Sequence, residues 1–69
     1  MPLTMMDTGE TSIIKKIGGR GDTRNFLENL GFVVGGAVTV VSRTGGNLIV
    51  NVKDSRIAIG RDMAGKIMV

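Results

Sequence analysis

The stretch Val38-Thr39-Val40-Val41-Ser42-Arg43-Thr44-Gly45-Gly46-Asn47-Leu48-Ile49-Val50-Asn51-Val52-Lys53 decides the fold. Val38 and Val40, with Ser42 continuing the row, line one side of a strand, and Thr39 and Val41 line the other. Leu48, Val50 and Val52 then alternate with Ile49, Asn51 and Lys53, the two-residue period of a half-buried strand. Between the runs, Thr44-Gly45-Gly46-Asn47 is a tight reversal that calls for φ > 0 at its centre. A two-residue reversal at Asp54-Ser55 leads into a further strand, Arg56-Ile57-Ala58-Ile59.

Working outward from that meander, Arg61 to Ala64 suffices for one helical turn after Gly60. Gly65 then releases the chain into a last strand, Lys66-Ile67-Met68-Val69. Upstream, Thr23 to Leu30 carries Phe26, Leu27 and Leu30 on one helical face, with Asp22 at the N-cap position. Gly31 falls where a left-handed C′ residue belongs, so Phe32 can pack back on Leu27. Residues 12–17 (Ser-Ile-Ile-Lys-Lys-Ile) read as a first strand whose faces do not alternate cleanly, which requires a bulge or a strong bend. Thr4 can cap a short turn near the N-terminus that ends at Thr8-Gly9.

The expected architecture is mainly β: a small, strongly bent barrel of about five strands with one short α-helix and a one-turn helix near the C-terminus. Closure removes the exposed strand edges of so short a chain. The expected core is Leu3, Ile14, Ile17, Phe26, Leu27, Leu30, Val38, Val40, Leu48, Val50, Val52, Ile57, Ile59, Ile67 and Val69. At 69 residues the chain is one domain, 1–69, without linker or repeat, and such a domain buries only about 60% of its unfolded surface.

Composition excludes several functions. There is no His and no Cys, so a zinc finger, a thiolate site and His- or Cys-based catalysis are out. No apolar run approaches the roughly 20 residues of a membrane span, and Met1 to Asp7 has neither the basic nor the apolar region of a signal peptide. A soluble, cytoplasmic protein is the expectation. Nine basic against six acidic residues give +3, but only Lys15 and Lys16 adjoin, so charge alone is weak evidence for a polyanion partner.

The remaining motifs favour ordinary readings. Gly19-Arg20-Gly21 before a helix suggests a dinucleotide loop, yet Arg24 stands where a third small residue is needed. Arg20-Gly21-Asp22, without a secretion signal, carries no integrin reading. Asp7, Glu10, Asp22, Glu28, Asp54 and Asp62 show no metal-loop spacing, so no metal site and no cofactor are expected. Met1, Met5, Met6, Met63 and Met68 match no spaced thioether motif and read as packing residues. Without Trp or Tyr there is no stacking platform for single-stranded nucleic acid, so no nucleic-acid partner is expected.

Several segments together resemble the FeoA family over nearly the whole chain. They are Gly9-Glu10, Ile14 and Ile17, Leu30-Gly31-Phe32-Val33-Val34-Gly35, the valines at 38 and 40, Gly45-Gly46, Val50 and Val52, Ile57-Ala58-Ile59, Met63-Ala64 and Ile67-Met68-Val69. The most specific parts are the Leu-Gly-x-x-x-Gly turn and the Ile-Ala-Ile-x-x-x-x-Ala-x-x-Ile-x-Val ending. The resemblance implies an SH3-like β-barrel and a non-enzymatic cytosolic accessory protein of bacterial ferrous iron uptake. Its partner would be the cytosolic region of the FeoB transporter, with no membrane insertion and with a homo-oligomer left open. The same fold forms the C-terminal domain of DtxR-type metal-dependent repressors, which supplies the alternative of a regulatory or nucleic-acid-associated module. Two positions depart from the family pattern: Val34 stands where Pro is usual, and Ile59-Gly60 precede Arg61 where Leu-Arg is usual.

The residues with nothing to do in the barrel core are the candidate partner contacts: Arg24 and Asn25 on the helix, and Arg61 and Met63 after Gly60. Gly31, Phe32, Gly35, Gly45 and Gly46 are the candidate structural positions, and no catalytic residue is expected.

Overall fold

A computed structural model describes residues 1–69. A 3-10 turn, Leu3–Met5, opens the chain. It is followed by β1 (Thr11–Ile13), β2 (Lys16–Ile17), α1 (Gly21–Leu30), β3 (Ala37–Thr44), β4 (Asn47–Val52), β5 (Ser55–Gly60), α2 (Arg61–Ala64) and β6 (Ile67–Met68). The strands form two antiparallel sheets, one of four strands in the order β1-β3-β4-β5 and one of two, β2-β6. The architecture is the mainly β one expected, with six strands in place of five, but closure does not remove every edge: β1 and β5 each pair on one side only.

The extra strand comes from a break in the first. Ile14 and Ile17 are both buried while Ile13 is 52% exposed, and no single two-residue alternation buries positions three apart. The chain therefore changes sheets between them. Ile14 still belongs to the larger sheet, exchanging bonds with the 35–36 backbone (its N–H to the Gly36 carbonyl, 2.9 Å; its carbonyl from the Gly35 N–H, 2.8 Å). Lys15 already donates to the Met68 carbonyl at 2.7 Å, on the smaller sheet.

A bulge also corrects the reading of β3. Val40 pairs with Val50, but the next pair is Ser42 with Ile49, so Val41 is the extra residue. Beyond it Ser42 shares the outer face with Ile49, while Arg43 sits opposite the buried Leu48. The Arg43 guanidinium then reaches the Met6 carbonyl and ties the N-terminal turn to the end of β3.

Both hairpins are tight. Gly45-Gly46 is the loop between Thr44 and Asn47, with Gly45 at φ +50°. The second loop is Lys53-Asp54, not Asp54-Ser55, because Ser55 already pairs with Val52. Lys53 and Asp54 stand at φ 49° and 64°, the two consecutive left-handed residues of a type I′ turn. Neither is glycine, so the sequence carried no signal for that register.

Helix α1 begins earlier than Asp22 suggests. Arg24 donates to the Arg20 carbonyl at 2.9 Å, so Arg20 is the N-cap and Asp22 lies in the first turn, near the positive end of the helix dipole. Its far end is a Schellman motif: Phe32 N–H to the Leu27 carbonyl and Gly31 N–H to the Glu28 carbonyl, both at 3.0 Å, with Gly31 at φ 110°. The N-terminal turn uses Pro2 as its N-cap, and Thr4 makes no capping bond.

Fifteen buried hydrophobic residues form one cluster and no polar side chain is buried. Phe26 is a correction: it is 52% exposed, because a 100° step per residue carries it off the face that Leu27 presents inward. Phe32 takes the aromatic place in the core instead, fully buried beside Leu27. Leu30 and Ile57 pack against the cluster only in part, while Met6 and Ala64, absent from the expected set, are fully buried. Met1 and Val69 exchange two hydrogen bonds, Val69 N–H to the Met1 carbonyl at 2.7 Å and the Met1 ammonium to the Val69 carbonyl at 2.8 Å.

Candidate interaction surface

No group of three or more His, Cys, Asp or Glu is placed to hold a metal ion. No helix is long and apolar enough to cross a membrane. No ionisable side chain is buried, so the charges lie at the periphery of the molecule.

The four candidate contacts fall on two elements. Arg24 and Asn25 lie on the exposed side of α1, where the inward face is set by Leu27, with Leu30 and Thr23 half-buried beside it. Arg61 is exposed as the first residue of α2, and Met63, two residues on, is half-buried and packs against the core. Helices α1 and α2 do not pack extensively on one another, so the two pairs are not one constellation.

What the structure does join is α2 and the β3–β4 hairpin tip. The Arg61 N–H donates to the Gly46 carbonyl at 2.9 Å, and a Cβ on Gly60 would stand 3.9 Å from the Asn47 side chain. Arg61, Asp62, Gly45, Gly46 and Asn47 are all exposed along this seam. On its other side α2 packs against the N-terminal 3-10 turn, whose Met5 is 67% exposed. The hairpin tip, α2 and the Met5 turn thus make one end of the barrel: a charged Arg and Asp, a flat glycine loop and a flexible thioether. Sequence reading placed Arg61 and Met63 in this region but missed Met5, since nothing in a turn-forming N-terminus says which methionine stays out. Burial of Met6 at 0% beside Met5 at 67% is decided by the turn's own geometry.

The candidate structural glycines lie in loops and at the helix end. Gly31 closes α1 and Gly35 stands at φ +90° in the connection to β3 with nothing within 4 Å of its missing Cβ. Across the outer sheet face runs a polar row that the sequence did not announce. Thr11, Thr39, Asn51 and Arg56 are successive cross-strand neighbours, joined by a Thr11–Thr39 hydroxyl bond of 2.8 Å and an Arg56 Nε to Asn51 Oδ1 contact of 3.4 Å. A shallow groove lined by Ala37, Thr39, Asn51, Val52, Lys53 and Asp54 lies beside it.

Comparison with known proteins gives this surface a context. The family model described as the FeoA domain matches residues 1–69. A Methanocaldococcus jannaschii protein provisionally named Fe(2+) transport protein A is 38% identical over 68 residues, covering 99% of this chain and 83% of its own length. Among solved structures, an iron uptake regulatory protein, FeoA, superposes with a TM-score of 0.91 at 33% identity, covering 99% of this chain and 92% of that one. Two more distant structures share the fold. Stenotrophomonas maltophilia FeoA complexed with zinc, described as a procaryotic SH3 domain protein, has a TM-score of 0.86 at 23% identity, with 99% and 87% coverage. A manganese-dependent transcriptional repressor has a TM-score of 0.88 at 17% identity, with 97% of this chain covering 39% of that one.

Proposed function

This chain belongs to the FeoA domain family, and from that premise we propose that it is a non-enzymatic accessory module of ferrous iron uptake, acting as one 69-residue domain on the cytosolic region of the FeoB transporter. The observation that carries the reading is the family match along the whole chain. The arrangement of one end of the barrel supports it: the exposed Arg61 of α2 is bonded through its N–H to the exposed Gly45-Gly46 hairpin tip, with Met63 half-buried beside it. Loops held on a rigid scaffold are where contacts concentrate, and Arg and Met are favoured at interface cores. The hairpin tip, Arg61 and Met63 form the proposed contact, with Arg24 and Asn25 as the competing surface on α1. The location that follows is cytoplasmic.

The test is capture of the transporter's cytosolic region by this chain, measured by calorimetry for Arg61→Glu, Met63→Ala, Arg24→Glu and Asn25→Ala after circular dichroism shows each folded. Substitutions at Arg61 and Met63 are expected to weaken binding about tenfold or more, equivalent to roughly 1.4 kcal/mol. Should all four variants bind like the parent, the contact lies elsewhere, with Gly45-Gly46 the next place to substitute. Absence of any capture by the parent overturns the docking reading.

One specific observation favours a second reading, the likeness of this fold to a manganese-dependent repressor. At 17% identity it speaks for the fold alone. A regulatory, nucleic-acid-associated module would bind duplex DNA at low salt with an affinity falling steeply as salt is added. Only weak, sequence-indifferent retention is expected.

A further inference from the structure

The outer edge of β5 is open, and its chemistry fits one occupant. Since Lys53-Asp54 is a two-residue loop, Val52 and Ser55 form the hydrogen-bonded pair that closes it. Alternating from there, Ile57 and Ile59 also direct their backbone groups at β4, toward Val50 and Leu48. The bond from the Arg61 N–H to the Gly46 carbonyl falls at the next place in the same alternation and fixes its phase. Arg56, Ala58 and Gly60 therefore point their backbone groups away from β4, and β5 pairs with no other strand. The Gly60 carbonyl serves α2 as its N-cap acceptor. That leaves the N–H groups of Arg56, Ala58 and Gly60 and the carbonyls of Arg56 and Ala58 facing outward.

Exposed edges are ordinarily guarded by Pro, Lys, a bulge or great shortness. β5 is six residues long and unbroken in register, with neither Pro nor Lys, and its one charge, Arg56, stands near its start rather than at its centre. The opposite edge, β1, has only three residues.

We propose that β5 pairs antiparallel with β5 of a second copy of this chain, centred on Ala58 opposite Ala58 of the second copy. In that register Arg56 lies opposite Gly60, so the longest side chain on the outer face meets the residue without one. Alanine meets alanine at the centre, and on the inner face the half-buried Ile57 meets Ile59. Ala58 satisfies both its backbone groups across the axis, and the Gly60 N–H reaches the Arg56 carbonyl. The two arginines stand four residues apart along the ribbon, about 13 Å at 3.3 Å per residue. That exceeds the roughly 8–10 Å over which charges act at ordinary salt, so no like charges oppose. The strand is complementary to itself in hydrogen bonding, size and charge, independently of the transport reading.

A pairing confined to an edge is weak, and sedimentation velocity from roughly 10 µM to 1 mM suits it. The parent is expected to shift from monomer to dimer over that range, with the Ala58 and Gly60 amides gaining protection from hydrogen exchange. Gly60→Pro removes one outward N–H and nothing else: Gly60 stands at φ −68°, where proline belongs, and only the Asn47 side chain, at 3.9 Å, lies near its Cβ position. Ala58→Lys, on an exposed site, sets two ammonium groups opposite each other at the axis. Each variant should stay folded by circular dichroism and lose at least about tenfold in association. A parent that sediments as a monomer throughout refutes the proposal, as does a dimer indifferent to both substitutions. If the Ala58 and Gly60 amides become protected only when the transporter's cytosolic region is added to a monomeric chain, the edge receives a foreign strand and the second-copy pairing is wrong.

Discussion

Replacing Gly31 by alanine tests how the helix stop holds the barrel. Gly31 stands at φ 110°, beyond even the left-handed basin near +57° that L-residues visit. The cost is not a collision. A Cβ there would meet Val52 Cγ1 at 3.6 Å and Lys53 Cδ at 3.7 Å, both ordinary contacts. A side chain at the stop therefore has room, and the backbone angle alone carries the cost. Local strain of this kind costs about 1–3 kcal/mol, offset by roughly 0.4–1 kcal/mol from the stiffer unfolded chain. A net loss of about 1–2 kcal/mol for Gly31→Ala follows, and about 1 kcal/mol more for Gly31→Val, whose branched Cβ restricts χ1. In a domain of this size each kcal/mol lowers Tm by about 4–8 °C. Urea titration should show the midpoint falling at constant slope, because the folded and unfolded surfaces are unchanged. Gly45→Ala is the internal control. At φ +50°, inside the L-residue basin and with nothing within 4 Å, it should cost less than about 1–2 kcal/mol, the usual left-handed penalty. If Gly31→Ala melts with the parent, the Schellman bonds from Gly31 and Phe32 are not what ends the helix. If Gly45→Ala costs as much, backbone conformation is the wrong explanation.

Phe32→Ala removes the largest fully buried side chain and should cost about 3–5 kcal/mol, whereas Phe26→Ala, half-exposed, should stay within about 0.5 kcal/mol; equilibrium unfolding separates them. Asp54→Gly relieves a non-glycine residue at φ 64° and should raise stability by up to about 1 kcal/mol, read as a higher urea midpoint, while the same change at Ser55 should not. Anaerobic calorimetry with Fe(II) is expected to show no site tighter than about 1 µM, since no His or Cys is present and no carboxylates are grouped; a stoichiometric tighter site would turn the proposed accessory into a carrier.

Alternation at Leu48, Val50 and Val52, the glycine pair at 45–46 and the glycine after Leu30 were enough, read along the chain, to determine a mainly β fold around one short helix. Those signals are local: a two-residue period, a φ only glycine holds cheaply, and an apolar residue just beyond it. The full-length family pattern was legible for the same reason, being a string of such local requirements in order. The tertiary structure decided what depends on more than one segment. Whether Phe26 or Phe32 enters the core turns on which side of a short helix meets the sheet. The break between Ile14 and Lys15 exists because two sheets compete for one strand, and the bulge at Val41 points Arg43 toward the Met6 carbonyl from across the barrel. The proposed contact surface is of this second kind. Arg61 meets the hairpin tip only through a backbone bond to Gly46, fifteen positions away in sequence, and no pattern of side chains encodes a hydrogen bond between two main chains.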